Sequence, residues 1–298
     1  MQAIIPQPLK ILNDSVPEDE APLWDAESTY AKGDEVIDDH KIYRALTENT
    51  GKQPSITRNS TGGDASWAWL GVTNKYACID LQNYTQTTAP EGQTTLVIEI
   101  PFERPAVAAG LLNIDAAMVH LELVASSGDV AWESGEVTLQ RDSSDWWDYY
   151  FGGYRQDKVK VFFGIPPVSG ILRITLYGGR PAIGNILIGE HVTFGLTEYG
   201  VRTGFIDYSI NTEDSHGNTV WMKRRNAKRG TFPVFIDPAD LDYVQQTLAD
   251  LSGNPALWIG DNGTGFQSMI IYGFLREFDG GLDAYSRATG NFEIRGII

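Results

Sequence analysis

Short runs of branched and aliphatic residues, cut by Gly, Pro, Ser and Asp, recur along most of the chain. Residues 94–100, 119–124, 159–163 and 171–177 are of this kind, and several alternate apolar with polar positions, the period of a β-strand. In 119–124 the alternation puts Val119, Leu121 and Leu123 on one face and His120 and Glu122 on the other, which predicts a sheet with one wet face. A helical period stands out at one place. Leu241, Val244, Leu248 and Leu251 make a single apolar stripe. Asp237 fits the N-cap, Pro238 the first helical position and Gly253 the stop, while Asp240 places a carboxylate near the positive end of the helix dipole. A lone amphipathic helix in such a chain is expected to lie across one face of a sheet. The fold class expected is mainly β.

Composition sets the size of the parts. A chain of 298 residues predicts two or three domains, and 42% hydrophobic residues are enough for packed cores, which excludes a disordered or fibrous chain. Three units are expected. Residues 1–80 form a small Trp-rich β module, 81–191 a β-sandwich or jelly roll, and 192–298 an α+β unit with the helix. The formal net charge of −16, from 23 basic and 39 acidic residues, opposes a phosphate backbone, so no nucleic-acid partner is expected. No apolar run approaches the ~20 residues of a membrane helix, and no membrane insertion is expected.

Chemistry-bearing motifs are sparse. The single cysteine, Cys78, reads as a small filler in a strand-like run over residues 76–79. The four histidines lack metal-ligand spacing, and His216 sits in a turn-like composition. There is no Walker loop, no His-Glu-x-x-His and no Gly-x-Ser-x-Gly, so neither an enzyme, a cofactor nor a metal is expected. A glycosidase would need only two suitably spaced carboxylates, but no local signature supports one. Residues 261–265 read as the turn of a hairpin joining 257–259 to 269–272. The first residues lack the basic start and apolar core of a secretory signal, so synthesis in a cytoplasm is expected.

Two aromatic clusters and one basic run remain. Residues 145–154 hold Trp146, Trp147, Tyr149, Tyr150, Phe151 and Tyr154; read as a strand, half would face outward, as an interface first and a glycan surface second. The run Lys223, Arg224, Arg225, Lys228 and Arg229 is conspicuous in an acidic chain and reads as an arm meeting acidic patches on other copies or on a partner. Trp221 and Met222 beside it are candidate interface anchors.

The N-terminal segment resembles the small chitin- and cellulose-binding modules found beside bacterial glycosidases and in phage tail proteins. The resemblance rests on Trp24, Tyr30 with Gly33-Asp34 and Val36, Tyr43 with Ala45, Gly51 with Pro54, and Trp69. It implies glycan contact by exposed aromatics, for which Trp67, Trp24 and Tyr43 are candidates here, with Trp146 and Trp147 in the second cluster. Most of the module's aromatics are expected in its core. Trp67, beside a polar loop, is expected as the exposed platform.

Over most of its length the chain also resembles a family of tail and baseplate proteins of tailed bacteriophages. That likeness is carried by residues 70–80, 186–190 with 195–201, 206–209 with 214–220, and 273–278 with 292–297. It implies a virion protein, self-assembled as a ring such as a hexamer or docked on tube and baseplate neighbours, with residues 192–298 as the belt. The sandwich precedes the belt here, whereas many distal tail proteins have the reverse order, so a neighbouring baseplate protein stands beside the distal ring as a reading. A polysaccharide-binding protein outside a virion, either a lectin or a glycosidase accessory, is the competing reading.

Overall fold

The computed structural model describes residues 1–57, 65–102, 106–140, 146–151, 156–213, 217–263, 265–285 and 287–297. The fold is mainly β. Its frame is a ten-stranded antiparallel sheet that curls so far that Leu257 comes over Gly110, where a β-carbon would lie 2.3 Å from a Leu257 methyl. In order across the sheet lie Val159–Phe163, Ala108–Leu112, Asn185–Thr193, Gln2–Pro6, Ala256–Ile259, Ile270–Ala284, Arg287–Gly296 and Asn226–Ile236. Leu196–Thr197 and Arg202–Asp207 both pair with the last of these.

A second, six-stranded sheet packs on one end of the first. Thr95–Phe102, Gly170–Tyr177 and Met118–Ala125 form its centre, in the alternation read from sequence. Ile98, Ile100, Leu121, Leu172 and Ile174 point inward against Ala109, Leu111, Ile186 and Ile188 of the large sheet, closing a sandwich core. At the other end of the large sheet, Phe232, Val234, Ile236, Trp258 and Phe292 form a second core.

The helix lies on that second core. Asp237 accepts a hydrogen bond from the Ala239 amide at 3.0 Å, Pro238–Asp240 is a 3-10 turn, and Leu241–Asp250 is α-helical. Val244, Leu248 and Leu251 are buried, and Gly253 takes the positive φ of a helix stop. Among the described residues this is the one helix longer than six.

The large sheet crosses the boundaries expected from composition. Strand Gln2–Pro6, assigned to the small module, sits between Asn185–Thr193 and Ala256–Ile259. The divide at residues 191 and 192 falls inside Asn185–Thr193, which serves both cores. Charge and composition shifts mark stretches of chain, but a strand pairs by backbone and can join a sheet far away in sequence.

Two local expectations are corrected. Residues Asn74–Ile79 form a 3-10 helix, not a strand, and Cys78 is fully buried in it. Trp146–Phe151 is a six-residue helix, not a strand. Five aromatics in six residues carry neither a period of two nor one of 3.6, so pattern could not separate the two forms.

Candidate functional site

The strongest surface feature is a hairpin arm. Arg202–Asp207 and Asn226–Ile236 pair from Arg202 opposite Thr231 to Asp207 opposite Asn226. The ribbon continues as Ile210–Glu213 against Thr219–Met222, where every residue is exposed. Trp221 is 73% exposed, with Val220, Met222 and Phe205 also on the surface. A two-stranded ribbon is marginal alone in water. Contacts at its base help hold this one: the Arg225 guanidinium lies 3.2 Å from the centre of the Tyr84 ring, and the Arg224 amide donates to Ser209 Oγ at 3.0 Å. His216 lies outside the described residues.

The basic run divides by task. Lys223, Arg224 and Arg229 are exposed. Arg225 is spent on Tyr84. Lys228 turns its ammonium back toward the carbonyls of Ile270 (3.4 Å) and Gln267 (3.5 Å), and burial of that end lowers its pKa. Lys223 and Arg224 are therefore the cations that travel with Trp221 and Met222.

In the small module the expected tryptophan roles are reversed. Trp67 is 2% exposed; its indole N–H donates to the Lys52 carbonyl at 2.8 Å and its ring meets Tyr30 edge-on at 5.3 Å. Tyr43 is also fully buried, and Trp24 is half-buried against the same core. Trp69, expected inside, is 44% exposed. Both tryptophans lie on strand Trp67–Val72 opposite Lys41–Ala45, with Trp67 facing Ala45 and Trp69 facing Tyr43. They share a side of the strand, but a core of five buried residues covers only the central ring. A bulge between Ile42 and Tyr43 further turns the end of the strand. Neither Trp67 nor Tyr43 can stack on a sugar.

Trp146, Trp147, Tyr150 and Phe151 stand between 67% and 76% exposed on their short helix. One helical turn apart, Trp146 stacks on Tyr150 at 5.9 Å and Trp147 packs on Phe151 at 4.4 Å, which puts two exposed aromatic pairs on one short helix. Residues 145 and 152–154 of that cluster lie outside the described residues.

A groove of about 990 Å³ opens between residues 193–201 and the loop 259–269. Thr197 Oγ1 ties the two walls by donating to the Gly260 carbonyl at 2.8 Å. Gly195, at φ +143°, presses so close to the Phe235 carbonyl that a β-carbon would lie 2.2 Å from its oxygen, so only glycine fits that wall. Leu196 projects from it, 71% exposed, and separates the groove from a hollow of about 270 Å³ bordered by Asp237, Asp240 and Tyr243. Phe163, Phe266 and Met269 give the larger groove apolar surface, while Glu198 and Asp261 give it carboxylates. Glu198 accepts from Arg287 at 2.9 Å.

His191 borders the groove under Phe163, with ring centres 4.7 Å apart; its Nε2 is buried without a hydrogen-bond partner, and burial holds its pKa below the ordinary value. The unfolded chain therefore takes up a proton below about pH 6.5 that the folded chain resists, so stability falls as pH drops from there toward the lowered value. His191→Gln is expected to flatten this stretch of the stability–pH curve, measured by denaturant midpoints from pH 7 to pH 5. An unchanged slope would mean that the loss comes from other groups.

The wet face of the sandwich carries its own polar network. Arg173 bridges Glu99 (2.8 Å) and Glu122 (3.3 Å), and Glu122 also meets His120 Nε2 at 3.2 Å. Glu133, directly opposite Glu122 across the strand pair, brings a third ligating group within 4.8 Å of His120 and Glu122. Arg173 already pairs with one of those two carboxylates, Glu122.

No protein-family model matches the chain, and no curated protein does. Among solved structures it is similar to "CpGH89CBM32-6 produced by Clostridium perfringens", at 8% identity and a TM-score of 0.27. That match spans 51% of this chain and 94% of the other. A likeness of this size carries no argument about function.

Proposed function

We propose that the protein is a structural subunit of a bacteriophage tail tip or baseplate that associates with copies of itself, as a ring or on one, through the hairpin arm. The observation that carries this reading is the arm: an outer ribbon with every residue exposed, bearing Trp221 and Met222 beside Lys223 and Arg224. Exposed aromatic and cationic side chains at the outer end of such a ribbon add no buried core to the fold of a single chain. Burial in an assembly gives them one.

The small module then faces outward and touches host-surface glycan. Trp69 is its available indole, in place of Trp67. The same exposed indole also favours a second reading, a polysaccharide-binding protein outside any virion.

The test is the solution mass of the purified chain, by light scattering across concentration and salt. The expected result is a concentration-dependent oligomer, with Trp221→Glu weakening association at least tenfold while the circular dichroism spectrum is unchanged. A chain that stays monomeric throughout but binds on a glycan array would replace the assembly reading with the second one. No helix among the described residues is long and apolar enough to cross a membrane.

A further inference from the structure

The arm and the groove complement each other, and one chain cannot easily join them. The groove offers Phe163, Phe266, Met269 and the projecting Leu196, with Asp261 and Glu198 at its rim and Asp237 just across Leu196. Among the described residues no lysine or arginine lines either hollow, and Arg287 pairs with Glu198 from outside the lining. The arm offers the opposite set: Trp221 and Met222 for the apolar walls, Lys223 and Arg224 for the carboxylates. About 990 Å³ is at the roomy end of the range for sites that take a compact organic group, about 300–1,000 Å³.

Geometry argues against a chain filling its own groove. Val201 borders the groove, and the arm begins at Arg202 as extended strand. Trp221 pairs with Asn211, nine residues further along, or about 30 Å at roughly 3.3 Å per residue. We infer that the arm of one copy seats Trp221 and Met222 in the groove beside Leu196 of the next copy, with Lys223 and Arg224 over Asp261 and Asp237. This inference rests on the self-assembly reading above and names its contact. Donor and acceptor surfaces differ, so the interface is head-to-tail: each copy gives an arm and receives one, and the chain of contacts closes into a ring if the rotation allows.

Two exposed-site variants test it, both in the full chain and checked for an unchanged circular dichroism spectrum. Trp221→Glu spoils the arm and leaves the groove; Leu196→Arg spoils the groove and leaves the arm. By light scattering, each alone is expected to be monomeric. An equimolar mixture is expected to give a species of twice the monomer mass and nothing larger, because one intact arm meets one intact groove. Raising NaCl from 50 to 500 mM is expected to weaken that pair at least tenfold. Wild-type-like assembly by Leu196→Arg, with Trp221→Glu monomeric, would overturn the groove as the seat while leaving self-assembly standing. A mixture that stays monomeric would overturn the head-to-tail contact. Wild type that is monomeric at every concentration would remove the assembly reading itself, and this contact with it.

Discussion

Truncating Trp67 to alanine is expected to melt the small module while the two larger cores stay folded. The module's core holds five buried residues, Tyr30, Val36, Tyr43, Ala45 and Trp67, and Trp67 is the largest of them. A buried tryptophan cut to alanine costs about 3–5 kcal/mol. Here the loss includes the edge-on contact with Tyr30, and the Lys52 carbonyl loses its donor. So small a core has little reserve, because little surface is removed from water in a unit of that size. Hydrogen exchange is the measurement. Amides in Glu35–Asp38 and Lys41–Ala45 are expected to lose protection, while those in Thr95–Phe102 and Ile270–Ala284 keep theirs. Retained protection at Tyr43 would mean that the module does not depend on this ring.

Trp258→Ala is expected to destabilise the body of the protein by a similar amount, and globally. Trp258 is wholly buried, stacked on Phe194 at 5.8 Å and tilted against Phe292 at 6.2 Å, where the first strand, the helix-bearing core and the strands Ile270–Ala284 and Arg287–Gly296 meet. Its indole N–H donates to the Gly273 carbonyl at 3.0 Å. The cavity costs about 3–5 kcal/mol, a large part of the 5–15 kcal/mol that a domain holds in reserve. Trp258→Phe separates the two contributions: it keeps most of the ring contacts but strands the buried carbonyl, for about 1–3 kcal/mol. Denaturant unfolding of both variants reads the difference. Equal losses would assign the whole effect to the hydrogen bond, and a negligible loss in the alanine variant would contradict the packing described.

What the chain reveals in advance depends on periodicity. Thr95–Phe102, Met118–Ala125 and the helix Leu241–Asp250 were legible because each runs long enough for its buried positions to repeat. The hairpin across Asp261 was legible from its turn residues. Trp67 and Trp69 were not separable: they share a side of one strand, and which is covered depends on how far a small core extends, a property of packing. The groove was invisible for a different reason. Its walls come from residues 193–201 and 259–269, with Met1 and Phe163 beside them, and no local pattern announces that these will meet. The arm was legible from its basic run beside Trp221 and Met222, because a segment without a core needs no distant partner to be recognised.

The position of Gln2–Pro6 between Asn185–Thr193 and Ala256–Ile259 sets a timetable for synthesis. These residues leave the ribosome before either neighbour exists, and at about 5–20 residues per second the wait for Ala256–Ile259 is on the order of 10–50 s. Ile4 and Ile5 lie on an unpaired segment until Asn185–Thr193 has emerged, and one edge of that strand stays open until Ala256–Ile259 follows, while the small module just behind them can already close. Folding of the body is therefore gated by translation of its last quarter. A ribosome stalled before residue 256 would hold a finished module tethered to an open sheet, the species most open to chaperone capture.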